Sequence, residues 1–279
     1  MIVNYHILII IGLIIILCVL IGISVYLRSE SILKSKKEAL EIGNAQYIGT
    51  REKQDDSFGS CQRSYGLLAV VADGIGGFIN GDIASRITVD NFLKEFKRED
   101  VTGNINYYFQ TSAQKANFEI RKQFEDTPCG TTVVSAIVNK NQMYWFSVGD
   151  SDIAIYRKKR LIPVNRKQNV ENWLEDQYLS GKINREDALN HPQKRRLMNY
   201  VGYDGFTGGE ICEQPVTLQR GDKVLLYSDG VETLNQIELE NLLEQKGSAN
   251  DIAEKIIEAI KYKNVKSKDN ATIVVIKVK

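Results

Sequence analysis

The pattern of apolar and polar positions divides the chain into a charge-free start and a charge-rich remainder. Ile7–Leu27 is a run of 21 residues, almost all Ile, Leu and Val, and no Asp, Glu, Lys or Arg occurs before Arg28. About 20 such residues match the hydrocarbon thickness of a bilayer, where a helix satisfies its own backbone polar groups. The run therefore predicts one transmembrane helix. A secretory signal peptide would need a charged n-region, a shorter apolar core and a small-residue cleavage site, and none is present. Arg28, Lys34, Lys36 and Lys37 follow the run while no Lys or Arg precedes it. The positive-inside rule then predicts a single-pass membrane protein with its C-terminal part in the cytoplasm. Residues 1–27 thus read as an anchor, 28–43 as a polar juxtamembrane linker, and 44–279 as one domain with a sizeable core.

Within that domain, short apolar and β-branched runs predict strands at Tyr65–Ala72, Thr131–Val138, Met143–Val148, Ile153–Tyr156, Lys223–Tyr227 and Ala271–Val278. Asn139–Gln142 and Arg157–Arg160 fall between strands as hairpin turns. Helical periodicity marks Asp82–Lys97, Asn104–Phe124, Ile237–Glu244 and Asn250–Lys261, the last with Ile252, Ile256, Ile257 and Ile260 on one stripe. Strands in hairpin succession with helices in pairs between them predict an α+β fold of antiparallel sheets covered by helix pairs, and not a Rossmann-type alternation.

Composition narrows the chemistry. Lys and Arg total 36 against 35 Asp and Glu, so no electrostatic footprint for a nucleic acid exists. His6 and His191 are the only histidines, and His6 borders the apolar run. One imidazole at most is left, which nearly excludes a Ser-His-Asp triad or a multi-His zinc site. Cys18, Cys61, Cys129 and Cys212 show no close C-x-x-C spacing, which fits a reducing compartment.

Four aspartates stand where strands meet loops: Asp73 in VVADGIGG, Asp150 in FSVGDSD, Asp229 in LLYSDGVE and Asp269 in KSKDNATIVV. Each alone could be a turn former. Converged, they would crowd like charges that protons or cations must offset. An all-oxygen ligand set suits Mg2+ or Mn2+. Two such ions about 4 Å apart are a standard device for phosphoryl transfer to water, so hydrolysis of a phosphate ester is the natural expectation. Gly74, Gly76 and Gly77 permit close backbone approach beside Asp73. A tyrosine-phosphatase Cys-Arg loop, a G-x-x-x-x-G-K-[ST] loop and the kinase motifs are all missing.

These residues resemble the metal-dependent protein phosphatase family (PPM, type 2C), in particular its bacterial serine/threonine phosphatases. Arg51-Glu-Lys-Gln54-Asp55-Asp56 is similar to R-x-x-N-E-D. Asp73–Gly77 continuing to Gly81–Ser85 resembles D-G-M-G-G-x-x-x-G-E-x-A-S. Gly130-Thr131-Thr132, Val148–Ser151, Ser228-Asp229-Gly230 and Asp269-Asn270 match the later motifs, in order, over about 47–278. The resemblance implies a four-layer α-β-β-α sandwich with a two-metal site at one edge, and hydrolysis of phosphoserine and phosphothreonine in proteins by a metal-bridging water, opposing a serine/threonine kinase. It implies that Asp73 bridges two Mn2+ or Mg2+ ions, with the Gly74 carbonyl on one and Asp229 and Asp269 on the other. Asp56, with Asp55 in the family's Glu place, would act in the outer shell. Arg51 would hold the substrate phosphate, and Asp150 with Asp229 would form a third metal site.

Several positions depart from the family pattern. Ile75 replaces the His of many animal members, where bacterial members carry Met. Gln54 and Asp55 replace Asn and Glu, Asp152 replaces the Arg after G-D-S, and Lys167-Gln168-Asn169 stands near the usual D-H-S. The polar stretch 170–202 resembles the flap of bacterial members, with His191 read as a structural flap residue. The basic clusters Arg157–Arg160 and Lys194–Arg196 read as solvated turns before they read as docking sites for acidic phosphopeptides. Two rival functions stay open: a catalytically silent scaffold or sensor of the same fold, and a phosphatase for a small phosphate ester.

Overall fold

The computed structural model describes residues 14–26, 40–75, 80–125, 127–194 and 196–279. The chain divides into two compact units, Met1–Leu40 and Glu41–Lys279. In the first, residues 14–26 form a helix, α1, with every side chain exposed. The rest of the expected membrane-spanning run, 7–13 and Leu27, lies outside the described residues, as do 28–39 of the expected linker. Among the described residues no helix is long and apolar enough to cross a membrane.

The second unit is built from eleven strands and six helices among the described residues. One sheet contains β1 (Leu40–Tyr47), β6 (Asp152–Arg157), β7 (Arg160–Pro163), β10 (Lys223–Tyr227) and β11 (Ala271–Val278), in the order β1-β11-β10-β6-β7. The other contains β2 (Asp56–Arg63), β3 (Gly66–Asp73), β4 (Val133–Asn139), β5 (Gln142–Val148) and β8 (Glu210–Ile211) in sequence order, with β9 (Val216–Thr217) also pairing with β5. The pairings of β2, β3, β4 and β5 with one another, and of β10 with β6 and β11, are all antiparallel.

Layering follows from the burial of alternate residues. Leu68, Val70 and Ala72 of β3 pack into a core with α2 (Gly81–Arg98) and α3 (Ile105–Gln123), where Phe92, Phe96, Phe109 and Phe146 meet. Leu67, Ala69 and Val71 point to the other face and are equally buried, because the second sheet covers them. On the far side, Leu225, Ile273 and Val275 pack against α6 (Gln236–Glu244) and α7 (Ala249–Tyr262). The isoleucine stripe of α7 supplies Ile252, Ile256, Ile257 and Ile260 to that core, and Ser248 caps the helix in a capping box with Asp251. Helices outside two central sheets give an α+β sandwich of four layers.

Differences from the sequence reading fall where strands are polar. β1 begins at Leu40, inside the expected linker, and β2 and β7 carry no apolar run. All three sit at sheet edges, where one flank and part of each face stay exposed and the pattern loses its contrast. The basic turn Arg157–Arg160 closes the β6–β7 hairpin with Lys158 and Lys159 both at positive φ, 51° and 66°. Arg157 is structural: its guanidinium donates two hydrogen bonds, at 2.9 and 2.6 Å, to buried Asp222. The stretch 170–202 contains α4 (Val170–Leu179) and α5 (Arg185–Leu189), each capped by an Asn side chain.

Candidate metal centre

Antiparallel register places the first carboxylates. Asp56 opens β2, Asp73 ends β3, and the two are direct cross-strand partners. From the other sheet, Asp229 follows β10 and Asp269 precedes β11, and these two strands are neighbours. Asp150 lies in the connection from β5 to β6, which crosses between the sheets. Seven of the predicted residues, Arg51, Asp55, Asp73, Gly74, Asp150, Asp229 and Asp269, line one cavity of about 730 Å3, together with Ile75. Asp56 is buried beneath them. The sequence-predicted site is therefore assembled in one place, except that Gly76 and Gly77 lie outside the described residues.

The backbone around Asp73 is held on both sides. The Thr132 N–H donates to the Asp73 carbonyl at 2.8 Å, the Thr131 hydroxyl donates to the same oxygen at 2.8 Å, and the Asp73 N–H donates to Thr132 Oγ1 at 3.1 Å. Ser151 Oγ lies 2.7 Å from Thr132 Oγ1. Asn270 performs the same service for the loop before β2: its side chain accepts from the Asp55 N–H at 2.7 Å and donates to the Ile48 and Lys53 carbonyls. Asp56 accepts a 2.7 Å hydrogen bond from Ser228 Oγ, while Gln46 of β1 donates to the Asp56 carbonyl at 3.1 Å and to Thr272 Oγ1 at 2.9 Å. Thr131, Thr132, Ser151, Ser228 and Asn270 occur inside the motifs, but spacing alone gave them no role. Gln46 carried no signal in the sequence at all.

The electrostatics are those of crowded acids. Burial pushes Asp73 well above the usual carboxylate range, and its neighbours Asp56, Asp229, Asp150 and Asp269 add to the shift. Asp56 is pushed up to about 6, first by burial, against the opposing hydrogen bonds from Thr272 and Ser228. Asp229 is pushed up to about 7 by burial and then by Asp150, Asp269 and Asp56. Burial also raises Asp55 and Asp150. At the cavity mouth Arg51 Nη2 lies 2.6 Å from Asp269 Oδ2, and this hydrogen bond and charge raise the Arg51 pKa.

Whether these residues suit a cation can be judged from the donors themselves. All are hard oxygens, and Asp56 Oδ1 is buried without a hydrogen-bond partner. Like charges repel, however, and no three of the described His, Cys, Asp and Glu side chains are already drawn together to hold an ion. Asp269 turns to Arg51 and Asp56 to Ser228 instead. Arg51, predicted as the phosphate ligand, thus sits on a predicted metal ligand. The donor set fits a divalent cation in its chemistry, with Asp269 able to exchange Arg51 for it.

Two of the departures from the family pattern meet each other. Asp152 and Lys167 pair at 3.1 Å, and Lys167 also bonds Glu232 in the turn that Asp229 opens. Asp152 stands where the pattern has Arg and Lys167 near the place of its D-H-S, and in this chain the two are partners. Burial alone would lower the Lys167 pKa, but Asp152 and Glu232 outweigh it and leave it raised. His191 does not line the cavity; its Nδ1 accepts from the Gln193 N–H at 3.3 Å within its own turn. Arg196, Leu197, Met198, Tyr200 and Tyr203 also line the cavity, so the second basic cluster contributes Arg196 to the site.

Known proteins resemble this chain in sequence and in fold. The family described as Protein phosphatase 2C matches residues 45–268. The serine/threonine phosphatase stp of Listeria innocua is 30% identical over 218 residues, which span 75% of this chain and 83% of that protein. The solved serine/threonine phosphatase of S. agalactiae superposes with a TM-score of 0.76 at 23% identity, covering 86% of this chain and all of that one. A solved catalytic domain of the phosphatase PstP, in complex with two manganese ions, gives a TM-score of 0.70 at 22% identity, over 85% of this chain and 97% of that one. The chain belongs to the protein phosphatase 2C family.

Proposed function

We propose that this chain is a protein-serine/threonine phosphatase dependent on Mn2+ or Mg2+. The observation that carries the reading is the convergence of Asp73, Asp229, Asp269, Asp150 and Asp55 with Arg51 on one cavity, in a member of this family. Asp73, the Gly74 carbonyl, Asp229 and Asp269 would hold two cations, with Asp55 and Asp56 in the surrounding shell and Asp150 with Asp229 at a third. Bound cations activate water as a nucleophile at neutral pH and neutralise charge on the phosphoryl oxygens.

The chain's own groups do the rest. Thr132 and Thr131 fix the Asp73 backbone, which anchors the base of its side chain at the site. A phosphate monoester offers Arg51 a dianion in place of Asp269, and the planar guanidinium suits two phosphate oxygens. Leu197, Met198, Tyr200 and Tyr203 add apolar and aromatic surface to the cavity that a bound ester would enter. Proteins are favoured as substrates because the relatives are named serine/threonine phosphatases. The corresponding role is to reverse the work of a serine/threonine kinase.

The full chain is tested on a phosphothreonine peptide with Mn2+, with EDTA, and as Asp73→Asn. Release of phosphate only by wild type with Mn2+ is expected. Turnover in EDTA or undiminished turnover by the mutant contradicts the site; turnover of small esters alone favours the small-ester reading, and none on any substrate a silent scaffold.

We also propose that residues 7–27 cross a bilayer with the phosphatase domain on the cytoplasmic side. The support is the charge-free run and the cluster Arg28, Lys34, Lys36 and Lys37 after it. Recovery of the chain in the soluble fraction of lysed cells, without detergent, would sink this part.

A further inference from the structure

A second cavity, of about 530 Å3, lies beyond the wall of the first. Tyr200 and Tyr203 line both, with ring centroids 5.3 Å apart, so one aromatic pair separates the two spaces. The pair is built into the protein and is not a loose loop. Val201, between them, exchanges two 2.9 Å backbone hydrogen bonds with Thr131, next to the Thr132 that holds Asp73. Asn117 of α3 accepts from the Gly202 N–H at 2.7 Å. Tyr200 packs so closely on Gly130 that a Cβ there would stand 2.5 Å from its ring.

The second cavity is mostly polar, with one apolar patch. Phe124 at the end of α3 and Pro128 give the apolar patch; Arg121, bonded to Asp204, and Glu125 give the charged rim. The space is large enough for one or two side chains. We propose that it is a subsite for the polypeptide flanking the phosphorylated residue: the chain leaves the catalytic cavity over Tyr200 and Tyr203 and seats an apolar side chain on Phe124 and Pro128. The inference rests on the phosphatase reading and deepens it by naming a feature of the substrate. It favours a peptide because the cavity adjoins the catalytic one through a shared wall, while a small ester fills the first cavity alone.

The full chain, with Mn2+, is assayed on a phosphothreonine peptide of otherwise Gly and Ser residues, into which one Leu or Phe is placed at each flanking position in turn. At one position on one side, kcat/KM should rise about tenfold, the size of effect one apolar contact supports. Thr127→Trp, at an exposed residue lining only the second cavity, should remove that rise while para-nitrophenyl phosphate is hydrolysed as by wild type. A flat scan in wild type overturns the subsite, as does a rise that survives the Trp. If wild type fails even on para-nitrophenyl phosphate with Mn2+, the phosphatase reading fails instead.

Discussion

At the scale of single residues, the site depends on partners that bring charges together without cancelling them. Asp56 keeps one oxygen on Ser228 and leaves the other unpaired, so it is oriented and still has a lone-pair face to offer. Asp73, Asp150, Asp229 and Asp269 were legible as carboxylates at strand ends, while Arg51, Asp55 and Asp56 were legible only through the family resemblance. Gln46 was not, since a glutamine in a polar strand differs from its neighbours only once the fold brings it to Thr272 and Asp56. The Asp152–Lys167–Glu232 cluster likewise looked like two unrelated departures until the structure joined them. Lys167→Ala should leave Asp152, pushed up to about 6 mainly by burial, with more of its desolvation cost unrelieved. A loss of about 2 kcal/mol in denaturant unfolding is expected, below the range for a fully enclosed pair because 21% of the Lys167 side chain is exposed. Asp152→Asn in the same background should recover part of it; no loss in Lys167→Ala would mean the cluster is a surface feature.

Among elements, the buried centre of each sheet was readable and the edges were not. β3, β4, β10 and β11 are apolar along their length because helices cover one face and a sheet the other. β1 and β2 mix Gly, Asn, Gln and Ser with few apolar residues, and only pairing with β11 and β3 makes strands of them. The junctions between strands and turns carry the functional geometry. Gly230, in the 3-10 turn after β10, lies against the start of β11, where a Cβ would stand 1.9 Å from the Asn270 carbonyl oxygen. Gly230→Ala must therefore push Asp229 and Asp269 apart. A fall in phosphatase activity far greater than the fall in Tm is expected, read from phosphate release and thermal unfolding of the same preparation. Full activity in this variant would show that the spacing of those two carboxylates is unimportant.

For the whole molecule, the crowded acids make stability depend on pH and on cations. Asp56 and Asp229 rise to about 6 and about 7 on folding, from an ordinary value of about 4. A carboxylate whose pKa rises on folding binds its proton more tightly in the folded chain. Its contribution is then fully present below about pH 4 and is lost as pH climbs through the folded values. In EDTA the site's contribution should make Tm fall between about pH 5 and about pH 8, and Mn2+ should raise Tm more at the higher pH. A Tm in EDTA that climbs over this interval, or a Mn2+ effect equal at both ends, would contradict the picture of carboxylates held together against their own repulsion.

The central claim is that these aspartates form a site for hard divalent cations, and calorimetric titration of Mn2+ into the full chain tests it most directly. Saturable binding of at least two ions by wild type, reduced in Asp73→Asn, is the predicted result. No binding, or an isotherm unchanged by the substitution, would contradict it.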